Sequence, residues 1–142
     1  MNSEKDNEVY AYFCIDDFPC DPDEITKRMG LVPTKFWRKG DIHPKSRLEK
    51  KCNRWMLYSR ISRSEDLENH VKDILNQLDS HRDAILSICA EYEVYLQHVG
   101  YFHQFYPGFH LDRGDTIRIG EYRLSLDCDF YYLYSDQREG TE

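Results

Sequence analysis

The segment from Gly120 to Tyr134, GEYRLSLDCDFYYLY, alternates with a period of two. Tyr122, Leu124, Leu126, Cys128, Phe130, Tyr132 and Tyr134 fall on one side; Arg123, Ser125, Asp127, Asp129 and Tyr131 fall on the other. That pattern predicts a strand with one face in a core and one face wetter. The length of the apolar side predicts a central strand. The polar side carries two carboxylates, an arginine and a tyrosine, so chemistry is sought there first.

Three more segments alternate in the same way. Glu8 to Ile15 places Val9, Ala11, Phe13 and Ile15 on one face and Tyr10, Tyr12 and Cys14 on the other. Arg54 to Ile61 sets Trp55, Leu57, Ser59 and Ile61 against Arg54, Met56, Tyr58 and Arg60. Glu93 to Gln104 sets Val94, Leu96, His98 and Phe102 against Tyr95, Gln97, Val99, Tyr101 and His103.

Helical signals fall between the strands. Asp21 is a natural N-cap, Pro22 suits the first helical position, and Gly30 supplies the stop. Leu67, Val71, Ile74, Leu75 and Leu78 share a helical face after a cap at Ser64. Ser80 with Asp83 reads as a second cap, so a further helix or a bent continuation carries Ala84, Ile85, Ile88 and Cys89. Residues 31–53 contain Pro33, Gly40 and Pro44 without sustained periodicity and read mostly as loop. Phe109 to Ile119 fits a short edge strand or a helical turn, and residues 135–142 read as a frayed polar tail.

This order predicts an α+β fold with one domain over residues 1–142 and an ordered core over about 8–134. Its expected form is a two-layer sandwich: a mostly antiparallel sheet of four to five strands with two to three helices on one face.

Composition narrows the function. A formal charge of −7 argues against general affinity for nucleic acid or anionic membrane. No apolar run reaches the roughly 20 residues of a membrane span, and no signal peptide precedes Glu8, which predicts a cytoplasmic protein. Five cysteines at irregular spacing, with no CxxC, read as reduced thiols rather than a metal or disulfide framework. Residues 35–54 carry eight Lys or Arg against Asp41 and Glu49, a local +6 that leaves −13 on the rest of the chain. That basic loop either binds a partner or pairs with the domain's own carboxylates.

No catalytic, metal or cofactor residue is assigned by motif, because no phosphate loop, nucleophile elbow or metal-binding spacing is present. Two constellations merit attention. Asp127 and Asp129 share a strand face and suit either acid–base work, with His103 or His110 and Asp112 nearby across a turn, or simple pairing with Arg123, Arg54 and Lys39. The second is the sum of the non-core strand faces. Tyr10, Tyr12, Met56, Tyr58, Tyr95, Tyr101 and Tyr131 fall together there, among Arg54, Arg60, Arg123, Asp127 and Asp129. Tyrosine and arginine are enriched at protein interfaces. The face is either an interface or a second core layer, with Phe36 and Trp37 of the basic loop plugged into it.

Three stretches together carry a family resemblance: AYFCIDDFPCDPDEITKRMGLVPTKFWRKGD, RWMLYSRISRSEDLENHVKDILNQL and YRLSLDCDFYYL. The chain resembles the bacterial domain-of-unknown-function family numbered 4279. Gly30, Pro33, Thr34, Lys39, Gly40, Asp41, Trp55, Ser59, Asp127 and Asp129 sit where that pattern puts them, over about residues 8–134. The resemblance implies a compact α+β domain of the bacterial cytoplasm and transfers no catalytic residue. The acidic surface, the tyrosine-rich face and the lack of an assembled catalytic motif together give the expected function, a non-enzymatic protein-binding module, an immunity-type or regulatory partner. A small acid–base or divalent-metal enzyme and a self-associating structural domain are the alternatives. The residues expected to bind are Arg38, Lys39, Asp41, Trp55, Tyr58, Arg123, Asp127, Asp129 and Tyr131. The expected partner is another protein or a second copy, with no cofactor.

Overall fold

The computed structural model describes residues 5–134. The tail after Tyr134 lies outside them. Its strands are β1 (Glu8–Asp16), β2 (Lys35–Trp37), β3 (Arg54–Tyr58), β4 (Glu93–Phe102) and β5 (Ser125–Tyr132). They form one sheet in the order β2-β3-β1-β4-β5, antiparallel except for the parallel β4–β5 pair. Four helices accompany it: α1 (Pro22–Met29), α2 (Leu67–Asp79), α3 (Arg82–Glu91) and α4 (Arg113–Tyr122). The α+β class and the mostly antiparallel sheet match the sequence reading. The helix count exceeds it.

The register explains the core. Phe13 lies opposite Leu57 and Leu96, and Ile15 opposite Trp55 and Val94. These side chains are buried in one cluster with Ile25 and Met29 of α1, Val71, Ile74, Leu75 and Leu78 of α2, Ile85 and Ile88 of α3, and Ile119 and Tyr122 of α4. All four helices therefore cover the same side of the sheet. Trp55 is fully buried, meets Phe13 edge-on and donates its indole N–H to Thr26 Oγ1 at 3.0 Å. That bond anchors α1 over β3. Gly100 on the same side leaves room for the Phe102 ring, since a Cβ there would sit 2.5 Å from Phe102 Cζ.

Local chemistry sets the helix ends. The Asp21 carboxylate accepts from the Asp23 N–H at 2.9 Å, Pro22 opens α1, and Gly30 closes it at φ 73°. α2 is capped by Asp66 rather than Ser64, and the chain breaks at Ser80–His81 to give two separate helices. At the end of β3 the Ser59 hydroxyl and His70 Nδ1 lie 2.5 Å apart, and Asp73 holds Arg60.

Two expectations need correction. Residues 120–122 belong to α4, and Arg123 is its left-handed C-cap at φ 59°. Tyr122 is buried as expected, but from a helix, with its hydroxyl donating to Asp79. Second, β5 is the edge strand rather than a central one. Seven of its eight residues are exposed, including Leu126 and Tyr132 on the side expected in the core. The basic stretch, mostly loop as expected, also holds the short strand β2, which brings the sheet to five strands, within the four to five expected.

α4 links β4 to β5, so the last three elements form a crossover rather than a hairpin. An ionic seam joins α4 to α2. Lys72 bonds Asp112 and the buried Asp115 at 2.6 Å each, and Arg118 bridges Asp115 and Asp79 at 3.0 and 2.8 Å. No helix among the described residues is long and apolar enough to cross a membrane.

Candidate partner-binding face

Strand alternation sends the other half of the sheet's side chains away from the helices. Tyr12 lies opposite Tyr58 and Gln97; Tyr10 lies opposite Val99; Tyr101 lies opposite Tyr131; Cys14 lies between Met56 and Tyr95. The structure thus brings Tyr10, Tyr12, Tyr58, Tyr95, Tyr101 and Tyr131 onto one face. None of the four helices packs there, because their buried residues all belong to the opposite cluster.

The tyrosines organise one another. Tyr10 stacks on Tyr58 at 5.7 Å, Tyr12 meets Tyr58 edge-on at 4.7 Å, and Tyr101 stacks on Tyr131 at 5.2 Å. The Arg63 guanidinium lies 4.2 Å from the Tyr10 ring centre. Beneath the rings, Cys14, Met56, Gln97 and Val99 are buried. The rings are half-buried, apart from Tyr131, which is 46% exposed. Desolvation and the neighbouring Tyr101 and Tyr58 push the Tyr10 hydroxyl up to about 12; desolvation likewise raises Tyr12, Tyr58 and Tyr95, with Tyr58 adding at Tyr12 and Cys14 at Tyr95. Burial raises the Cys14 thiol to about 12. These groups are neutral donors at neutral pH, with no activated nucleophile among them.

Charge is distributed unevenly across the face. At the β3 side, Arg54 makes a two-point bond to Asp16 at 2.9 and 3.2 Å and lies over Trp37, whose ring also holds Lys50 Nζ at 3.7 Å. At the β5 side, Asp127 and Asp129 have no cation within ion-pairing distance among the described residues. Among the described residues Asp129 accepts only from Gln97 Nε2, at 3.2 Å. The face runs from a basic aromatic corner to an acidic edge.

The residues singled out from sequence separate into four places. Tyr58, Asp127, Asp129 and Tyr131 lie on the tyrosine face. Trp55 lies in the core. Arg38, Lys39 and Asp41 form the turn after β2, where Arg38 bonds Asp21 at 2.8 Å and Lys39 N–H donates to Asn53. Of the eight basic residues over 35–54, Arg38 and Arg54 pair with the domain's own carboxylates, Asp21, Asp23 and Asp16, whereas the other six make no ion pair among the described residues. Arg123 caps α4, away from Asp127 and Asp129, and Arg54 is taken by Asp16, so the pairing expected for the acidic doublet does not form. Trp37 borders the face beside Arg54, whereas Phe36 falls on the helix side, so the two do not plug the face together.

The enzyme reading drew on Asp127 and Asp129, joined by His103 or His110 from across a hairpin. The crossover through α4 removes that hairpin. Among the described residues no three His, Cys, Asp or Glu side chains are grouped to hold a metal ion. Two histidines are buried: His98, on the core face where the alternation of its strand places it, and His70, whose sequence context predicts a helix surface. His98 Nδ1 lies 3.0 Å from the Asp127 carbonyl oxygen, and burial lowers its pKa; burial lowers that of His70 too. Both fix strand and helix positions from inside the core. A separate cleft of about 360 Å³ opens where β1 starts and β4 ends, with Phe102 and Phe130 in its floor and Arg63, Glu65 and Asp66 at its rim.

The chain belongs to the family described as Domain of unknown function (DUF4279), whose model matches residues 7–133. The matched span takes in all five strands and the whole tyrosine face. No curated protein and no solved structure matches the chain.

Proposed function

We propose that this chain is a non-enzymatic protein-binding module, an immunity-type or regulatory partner, that presents the tyrosine face of its sheet to another protein. One observation carries the reading: six tyrosines line a sheet face that none of the four helices covers. Antiparallel sheets with one wet face ordinarily fill it with small polar and charged residues. Here the face carries large rings with polar tips, which supply contact area at low entropy cost and suit a protein surface. The rings are held by stacking before any partner arrives, which reduces the ordering cost of binding. Five free thiols suit a reducing compartment such as the cytoplasm.

Affinity capture at moderate salt from cells that express the chain tests this, with wild type and Tyr10→Ser/Tyr58→Ser as baits. The expected result is a stoichiometric protein held by wild type and lost by the variant, with the variant still folded by circular dichroism. No stoichiometric partner, or one retained by the variant, contradicts the reading. Sedimentation of the purified chain distinguishes a second copy from a foreign partner.

A further inference from the structure

The outer edge of β5 is long, accessible and charged. Among the described residues β5 is the last strand in the sheet and pairs only with β4, and seven of its eight residues are exposed. The opposite edge, β2, is three residues long and flanked by Lys35, Arg38 and Lys39. Short, basic edges resist further pairing, whereas long, exposed ones invite it. The Leu133 N–H donates back to the Phe102 carbonyl at 2.8 Å. By strand alternation, odd-numbered amides then face β4, and those of Leu126, Cys128, Phe130 and Tyr132 face outward.

The side chains specify what could join that edge. Asp127 and Asp129 stand on the tyrosine side without a cation within ion-pairing distance among the described residues. Leu126, Phe130 and Tyr132 stand on the other side, and Leu126 and Tyr132 are 45% and 54% exposed. A second copy is a poor fit. Antiparallel self-pairing centred on Asp127, Cys128 or Asp129 sets aspartate against aspartate, which is destabilising. A strand that places Lys or Arg opposite the two aspartates, with apolar residues between, satisfies both sides at once.

We infer that β5 is a docking edge for an extended segment of a partner protein in which basic and apolar residues alternate, added to the sheet as a sixth strand. Main-chain bonds give such a complex its affinity, and the alternating side chains give it register. The inference rests on the binding reading above and supplies the chemistry of the partner: a basic strand for an acidic domain.

The probe is a capped peptide alternating lysine and valine, matched in length to β5, titrated into the isotopically labelled full chain and followed by amide shifts. Controls are a scrambled peptide without the period of two and a glutamate–valine peptide. The expected result is saturable binding of the lysine peptide alone, with shifts centred on residues 126–132. Asp127→Asn/Asp129→Asn should weaken it roughly fivefold or more, from two cross-strand charge pairs. Cys128→Pro, which removes one outward donor while leaving the β4 side intact, should weaken it as well. Absence of binding, equal binding of the scrambled peptide, unchanged affinity in the Asn variant, or shifts confined to the cleft beside α2 would each overturn the inference. If the peptide fails while capture still depends on Tyr10 and Tyr58, the edge is wrong and the face stands. If the peptide binds β5 while no cellular partner is captured, the edge is supported and the reading of the face falls.

Discussion

The two faces of this sheet are made by the same five strands and differ in what covers them. On one, Phe13, Ile15, Trp55 and Leu96 are sealed under four helices. On the other, tyrosines of β1, β3, β4 and β5 stack on one another with no helix above them. Both faces are built from large side chains, so size alone does not distinguish a core from a surface. The hydroxyl does: each ring on the uncovered side carries a polar tip, which Tyr10 shares with Tyr101 and Tyr95 with Cys14. The first face holds the fold together, and the second carries none of the four helices.

The sharpest way to break this comparison is truncation on each side. Phe13→Ala or Trp55→Ala should cost roughly 3–5 kcal/mol in urea unfolding, because a sealed cavity remains. Tyr58→Ala on the other face should cost about 1 kcal/mol. Equal costs would make the tyrosine face a second core.

The faces should also separate by pH. His70 and His98 sit on the helix side and are held neutral by burial, below the ordinary 6.5. An unfolded chain takes up protons at 6.5 that the folded chain refuses. Stability is therefore full above pH 6.5 and falls as pH drops below it. Urea midpoints at pH 7.5 and 5 (about one unit or more either side of that value) should show the lower midpoint in acid. A flat profile would show that the histidines are not sealed.

On the tyrosine side the sign reverses. Desolvation and neighbouring phenols hold Tyr10 protonated up to about 12, above the ordinary 10.0. Its contribution is full below pH 10 and is lost as pH rises toward 12. Phenolate absorbance should appear later in the folded chain than in urea. Partner binding should delay it further, by desolvating the face more.

The smallest effects belong to residues outside both faces' packing. Arg123→Gly should stabilise by about 0.5–1 kcal/mol, since the cap needs φ 59°. Asp127→Asn/Asp129→Asn should leave stability within about 0.5 kcal/mol. A larger loss would assign the doublet to the fold rather than to binding.

Much of this was legible as pattern. The alternation in β1, β3 and β4 separates Phe13, Trp55 and Leu96 from Tyr12, Tyr58 and Tyr95, and Asp21, Pro22 and Gly30 mark α1 at both ends. What pattern concealed was pairing. Tyr122, Leu124 and Leu126 imitate a period of two, but Ile119 and Tyr122 are three apart on a helix capped by Asp112, whose carboxylate accepts from Asp115 N–H at 2.9 Å. Gly114 and Gly120, with Thr116, Ile117 and Ile119, weaken the local helical signal, and the α2 seam of Lys72 and Asp79 supplies the missing support. Alternation also does not distinguish an edge from a centre. β5 has the pattern of a central strand and the exposure of a flange, because only β4 stands beside it.

The most direct test of the central claim is photo-crosslinking inside cells that express the chain. A benzophenone side chain is placed at Tyr58 on the tyrosine face or at Lys27 on the outer surface of α1. The account predicts a discrete protein adduct from position 58 and none from position 27. An adduct from position 27 alone, or none from either, would contradict it.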